Sequence, residues 1–237
     1  MNSKVPGMRH IVRYTTAVLM MATLAACSTS RVDEVPVKWP PFKDGTLVML
    51  PSDPAQCPDL AGTYRAQGAR RAGDPEGVLL KDLHDFLAYS LDLPGMHDAP
   101  LPAWRSSPAA TVSVVSVEDG WDVQAADGLG ARAMGHLRLQ ESGARPAAAD
   151  GADLRTRDFI QRNAGCTQGR LWISVRQDWR QHESMGVRRH VAVLRKQEGG
   201  LLVTVQRESD SIGMLLPWYT NHSDLFQYWF APVAGRP

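Results

Sequence analysis

From Thr111 onward the chain alternates apolar and polar residues with a period of two, the spacing of half-buried β-strands. Residues 111–117 and 121–125 flank Glu118-Asp119-Gly120 and predict a hairpin, with the Asp-Gly pair supplying the positive φ angles of a tight turn. The alternation returns over 132–139, 170–176, 187–195 and 201–207, the last two joined at Glu198-Gly199-Gly200. In the closing run, 225–230, Phe226, Tyr228 and Phe230 share one strand face and Trp229 takes the other. Residues 47–50 fit a first short strand, and Tyr64 opens another. Residues 141–152 read as a polar loop, and 158–161 as a short turn of structure before Cys166.

One stretch has helical spacing. Leu79, Leu80, Leu83, Phe86, Leu87 and Leu91 form a single apolar stripe behind Asp74-Pro75-Glu76, a capping and first-turn sequence, and Pro94-Gly95 ends it. His84 and Asp85 fall off that stripe and are expected to be exposed. The predicted fold is therefore mainly β: an antiparallel meander forming a curved sheet or a partly closed barrel, with one early amphipathic helix packed on its open side.

The N-terminus follows a different logic. Lys4, Arg9, His10 and Arg13 precede an apolar run over 14–26 that ends in small residues, the layout of a cleaved export signal. That run is short for a permanent membrane span, which needs about 20 residues. At its end, Leu24-Ala25-Ala26-Cys27 resembles the lipobox of bacterial lipoproteins. The resemblance implies that diacylglycerol is attached to the Cys27 sulfur and that the chain is cleaved before it. Ser28 stands where an Asp would resemble the inner-membrane retention signal of enteric bacteria, which implies the outer membrane over the inner. The expected organisation is a signal peptide over 1–26, the lipidated Cys27 with an extended Pro-rich tether over 27–54, and a single β-rich periplasmic domain over 55–233.

Besides Cys27 the chain has Cys57 and Cys166. An even pair in an oxidising compartment predicts a disulfide between them, tying the first strand region to the middle of the sheet; two buried free thiols are the alternative. Neither has the Cys or His spacing of a zinc finger.

Composition narrows the partners. A formal net charge of +1 argues against a nucleic-acid binder, which carries a basic excess. Basic residues thicken between Arg155 and Arg207, with Asp158, Asp178, Glu183, Glu198 and Glu208 among them, so a solvated strand surface accounts for them. A patch meeting anionic lipid headgroups is the sharper reading.

Chemical motifs fail on context. Gly128-Leu-Gly130 has dinucleotide-loop letters, with Asp150 further on, but a strand pattern follows where a helix is required. His182-Glu183 meets Gly186 where a second zinc-binding His would stand. There is no Gly-x-Ser-x-Gly elbow and no phosphate loop. Asp119, Asp122 and Asp127 lack EF-hand spacing and suit turns. Asn221-His-Ser223 is a glycosylation sequon by letter alone. His136, His190 and His222 read as scattered surface histidines. Trp172, Trp179, Trp218, Tyr219 and Trp229 read as core, with a lipophilic pocket as the alternative. No catalytic, cofactor-binding or metal-ligating residue is assigned.

The domain opening, Cys57-Pro58-Asp59-Leu60-Ala61-Gly62-Thr63-Tyr64, resembles a group of proteobacterial lipoproteins that begin Cys-Pro-x-Leu-x-Gly-x-Tyr after a tether. That resemblance implies a short helix and a β-rich half with a second Cys, and no activity. Gly62-Thr63-Tyr64 faintly resembles the Gly-x-Trp of lipocalins, but the aromatic is Tyr and the helix comes early. The expected role is a non-catalytic binding or structural one at the envelope, with the membrane and a second envelope protein as partners. A carrier of a small lipophilic ligand stands second, an enzyme third.

Overall fold

The computed structural model describes residues 29–41, 46–73, 78–96, 107–139, 159–181, 183–213 and 218–233. Within them the chain is mainly β and every strand pairing is antiparallel. The strands are β1 (Thr29–Val32), β2 (Val35–Lys38), β3 (Gly62–Arg65), β4 (Ala69–Gly73), β5 (Thr111–Val117), β6 (Gly120–Ala126), β7 (Arg132–Arg138), β8 (Phe159–Thr167), β9 (Arg170–Gln181), β10 (Ser184–Gln197), β11 (Gly200–Gly213) and β12 (Tyr219–Phe230). The larger sheet has the order β4-β12-β11-β10-β9-β8 and the smaller β3-β5-β6-β7, while β1 and β2 form a separate hairpin.

The two sheets meet at one corner. Beyond β12, the Arg65 N–H donates to the Ala231 carbonyl and the Val233 N–H to the Thr63 carbonyl, each at 2.8 Å. One chain segment thus lies beside β4 and then beside β3, so the pairing bends from one sheet into the other. Among the described residues β7 and β8 remain unpaired edges, so the sheet is curved and not closed.

Alternation explains the core between the sheets. Leu171, Ile173 and Val175 of β9, Leu201, Val203 and Val205 of β11, and Phe226, Tyr228 and Phe230 of β12 all face Val112, Val123 and Leu137 of the smaller sheet in one apolar cluster. The opposite face of β9 and β10 is buried as well at its centre. Trp172, Val191 and Val193 pack against Val32, Val35, Val37, Trp39, Val48 and Leu50. The stretch read as an extended tether is therefore a hairpin and a following strap covering the outer face of the larger sheet. The reason is energetic: burying an aromatic such as Trp172 removes about 200 Å² from water, on the order of 5 kcal/mol before entropy. Residues 47–50 belong to that strap and form no strand.

Turn chemistry follows the pairing. Asp33-Glu34, Gln168-Gly169 and Glu198-Gly199 each place two consecutive residues at φ between 45° and 74°, the turn that suits the twist of antiparallel strands. The 117–120 hairpin departs from expectation: Val117 pairs with Gly120, so Glu118-Asp119 is the tip, and neither residue has positive φ. Gly120 instead opens β6 at φ 156°, where a Cβ would stand 2.0 Å from the Leu137 carbonyl oxygen.

The helix is shorter than its stripe suggests. Val78–Lys81 is a 3₁₀ turn, Leu83–Asp85 an α turn and Phe86–Ser90 a π turn. Asp82 breaks the run in extended conformation (φ −115°, ψ 123°), because its backbone bridges to Gln67. The Asp74-Pro75-Glu76 start lies outside the described residues. His84 and Asp85, expected at the surface, are 0% and 5% exposed. The segment sits among apolar residues of both sheets, and its exposed positions are Lys81 and Tyr89, so His84 and Asp85 fall on the covered side.

Candidate functional site

Cys27 lies outside the described residues; what the structure shows is the corner into which the chain behind it is built. Cys57 and Cys166 are joined in a disulfide, with Cα atoms 4.8 Å apart and a separation of 109 positions in sequence. It ties the turn before β3 to β8, which is the edge of the larger sheet and not its middle. Backbone bonds reinforce the tie. The Asp53 N–H donates to the Cys166 carbonyl at 2.8 Å, the Cys166 N–H to Ser52 Oγ at 3.2 Å, and the Gln168 N–H to Gln56 Oε1 at 2.7 Å.

A second lock holds the β1–β2 hairpin. Asp33, at its tip, accepts from Arg195 Nε at 2.7 Å and from Arg170 Nε at 3.0 Å, and Glu34 accepts from Arg170 Nη2 at 2.7 Å. Burial pushes the Asp33 carboxyl up, yet the two guanidiniums outweigh it and hold the group below the usual carboxylate range. Trp39 Nε1 donates to Ser30 Oγ at 2.7 Å, and Trp172 Nε1 to the Pro51 carbonyl at 3.0 Å. The indoles thus bury their rings and still satisfy their donors.

Several arginines of the basic stretch are held in ion pairs. Arg189 is 1% exposed; it donates to Asp210 Oδ2 and to the Pro41 carbonyl, each at 3.2 Å. Asp210 Oδ1 also accepts from Tyr219 Oη at 2.6 Å and Asn221 Nδ2 at 2.8 Å, so the sequon Asn is engaged within the fold. Arg176 makes a two-pronged contact with Asp178, at 2.7 and 3.0 Å. Arg207 donates to Asp224 at 2.9 Å. These partners hold Arg176, Arg189 and Arg207 within the fold.

The histidines separate. His136 stands between Asp119 at 3.1 Å and Asp122 at 2.6 Å on the outer face of the smaller sheet, and His222 meets Asp224 at 2.8 Å. His190, read as a surface residue, is 8% exposed on the inner face. Burial, with Arg188 and Arg207 nearby, lowers its pKa to about 3, against a backbone hydrogen bond to Ser90 that acts the other way. Trp172 is core, whereas Trp218 and Tyr219 are 44% and 58% exposed.

The void between the sheets is lined by Leu60, Leu83, Leu87, Trp121, Leu171 and Leu194, among other apolar residues, and measures about 20 Å³, the room of one water molecule. None of the aromatics proposed for a lipophilic pocket lines it. Sequence reasoning missed Asp33 and the hairpin around it. The signal was present as Val35, Val37 and Trp39 at spacing two beyond a two-residue acidic turn. No protein-family model, curated protein or solved structure matches the chain.

Proposed function

We propose that the protein is a lipoprotein of the bacterial cell envelope, held at the periplasmic side of a membrane by fatty chains on Cys27, with a non-catalytic binding or structural role. The observation that carries this reading is the cysteine partition. Of three cysteines, Cys57 and Cys166 bond to each other, and Cys27 is the one left, at the end of an export signal. A disulfide suits an oxidising compartment, which is where that signal would send the chain. Among the described residues no helix is long and apolar enough to cross a membrane, and lipid chains need none.

The docked hairpin sharpens the picture. β1 begins at Thr29, two residues after Cys27, so the lipid-bearing sulfur can stand only about 7 Å of backbone from the folded body. The domain would sit against its membrane instead of roaming on a leash. Its partner there is a second envelope protein, the outer membrane is favoured by Ser28, and nucleic acid is not among its partners. A lipid-carrier role is the weaker reading, because pockets for drug-sized ligands measure roughly 300–1,000 Å³ and the void between the sheets, among the described residues, is about 20 Å³.

Metabolic labelling with a clickable fatty acid tests the anchor. Labelled protein should fractionate with membranes, and Cys27→Ser should lose the label and become soluble. A Cys27→Ser protein that still sediments with membranes would overturn the reading.

A further inference from the structure

A cluster of metal-binding residue types lies inside the helical segment, away from the anchored corner. Asp82 caps the α turn: its Oδ1 accepts from the His84 N–H at 2.9 Å and the Asp85 N–H at 3.2 Å. Its second oxygen, Oδ2, is sealed from solvent and accepts from no donor among the described residues, in a residue 7% exposed. Leaving a buried carboxylate oxygen without a donor costs several kcal/mol. His84 Nε2 lies 3.2 Å from the Met96 carbonyl. A carbonyl only accepts, so Nε2 carries the proton and Nδ1 is the ring's basic nitrogen. Nδ1 faces Asp85 Oδ1 at 3.6 Å. One oxygen of Asp82, one nitrogen of His84 and one oxygen of Asp85 lie within 4.8 Å of one another, and all three residues are buried.

We propose that Asp82, His84 and Asp85 form a binding site for a divalent transition-metal cation of the zinc class. Two observations choose the class. An edge of a tetrahedron of nitrogen and oxygen donors around zinc is about 3.4 Å, close to the His84–Asp85 separation. Calcium takes about 6–8 oxygens and magnesium keeps several waters, which a buried set of three donors does not supply. Charge points the same way: a dication would give the buried Asp82 Oδ2 the positive partner that its hydrogen bonds leave out. The Nε2–Met96 bond is the outer contact that fixes ring and tautomer in metal-binding histidines. The ion would be structural. It would pin the α turn where Asp82 bridges to Gln67 beside β3, and three protein donors leave one tetrahedral position.

The test uses the untagged full chain, disulfide intact, free thiols alkylated, stripped with chelator and titrated with Co²⁺. One equivalent should bind, with the visible absorption of a tetrahedral site, and Zn²⁺ but not Mg²⁺ or Ca²⁺ should displace it. Asp82→Asn and His84→Gln should each weaken binding by more than the roughly 10–100-fold that loss of an outer contact costs. A wild type that takes up no stoichiometric Co²⁺ or Zn²⁺ holds a proton there only, and the proposal fails. It fails equally if the variants bind as well as the wild type. Should the variants not fold, X-ray absorption of the zinc-loaded wild type decides: one imidazole among oxygen donors supports the site, and no imidazole overturns it.

Discussion

His190 makes the stability of this fold depend on pH in a direction that can be worked out beforehand. The ring lies on the inner face of β10, paired across to Arg207 and Val175, and is 8% exposed. Burial foremost, then the charges of Arg188 and Arg207, hold its folded pKa at about 3, against 6.5 in the unfolded chain. The folded state therefore keeps the ring neutral while the unfolded chain takes up a proton as pH falls. Stability is full above pH 6.5 and declines from there down towards pH 3. With these two values, lowering the pH to 5 costs about 2 kcal/mol, and the full shift corresponds to somewhat under 5 kcal/mol. Urea unfolding at pH 7.5, 6 and 5, followed by tryptophan fluorescence, would measure it. His190→Gln keeps a polar side chain of similar reach and cannot titrate, and the other ionisable groups cancel in the comparison. The wild type should lose about 2 kcal/mol more than the variant between pH 7.5 and 5. Parallel pH profiles would refute the reasoning, and would mean that His190 has access to a proton in the folded state.

Other consequences can be checked directly. Reducing the Cys57–Cys166 bond, or replacing both cysteines with Ser, releases a loop of 109 positions and should cost up to about 4–5 kcal/mol, a Tm drop on the order of 10 °C by calorimetry with and without reductant. Asp33→Asn leaves Arg170 and Arg195 without their shared carboxylate; a loss of about 1–3 kcal/mol is expected, with faster hydrogen exchange confined to residues 29–41. Leu137→Ala would enlarge the void between the sheets and should cost about 3–5 kcal/mol in denaturant unfolding. Gly120→Ala places a methyl 2.0 Å from the Leu137 carbonyl, so β6 and β7 must part; a variant as stable as the wild type would contradict the pairing.

The strands that were legible are those with one face in the core. Over 111–114 and 201–205 the alternation states which residues point inward, and Val112, Val114, Leu201, Val203 and Val205 lie in the core, whereas Val115 and Val117 are exposed. The strand ends were not legible. Over 208–213 and 219–224 the residues are mostly polar, and strand persists there because Asp210 collects Arg189, Tyr219 and Asn221 from neighbouring strands, a contact among residues far apart in sequence. β8 was hidden for a related reason. Gln161, Arg162, Asn163 and Gly165 break the apolar alternation, and the strand is fixed by its neighbour β9 and by the disulfide at Cys166.

The harder failures have one cause. A period identifies which side of an element is apolar, and it assumes that the other side meets water. That assumption fails on β9 and β10, where Trp172, Val191 and Val193 lie on the second face and the N-terminal strap covers them. It fails again in the helical segment, where the polar letters of His84 and Asp85 sit off the stripe but inside the molecule. An apolar residue on a supposed outer face implies a missing cover, and here the chain supplies that cover itself. A buried carboxylate or imidazole implies a missing counter-charge. For Asp33 the structure supplies it as two guanidiniums. For Asp82 Oδ2 no hydrogen-bond donor stands among the described residues, and that one oxygen, not the acidic character of the cluster, points to a cation.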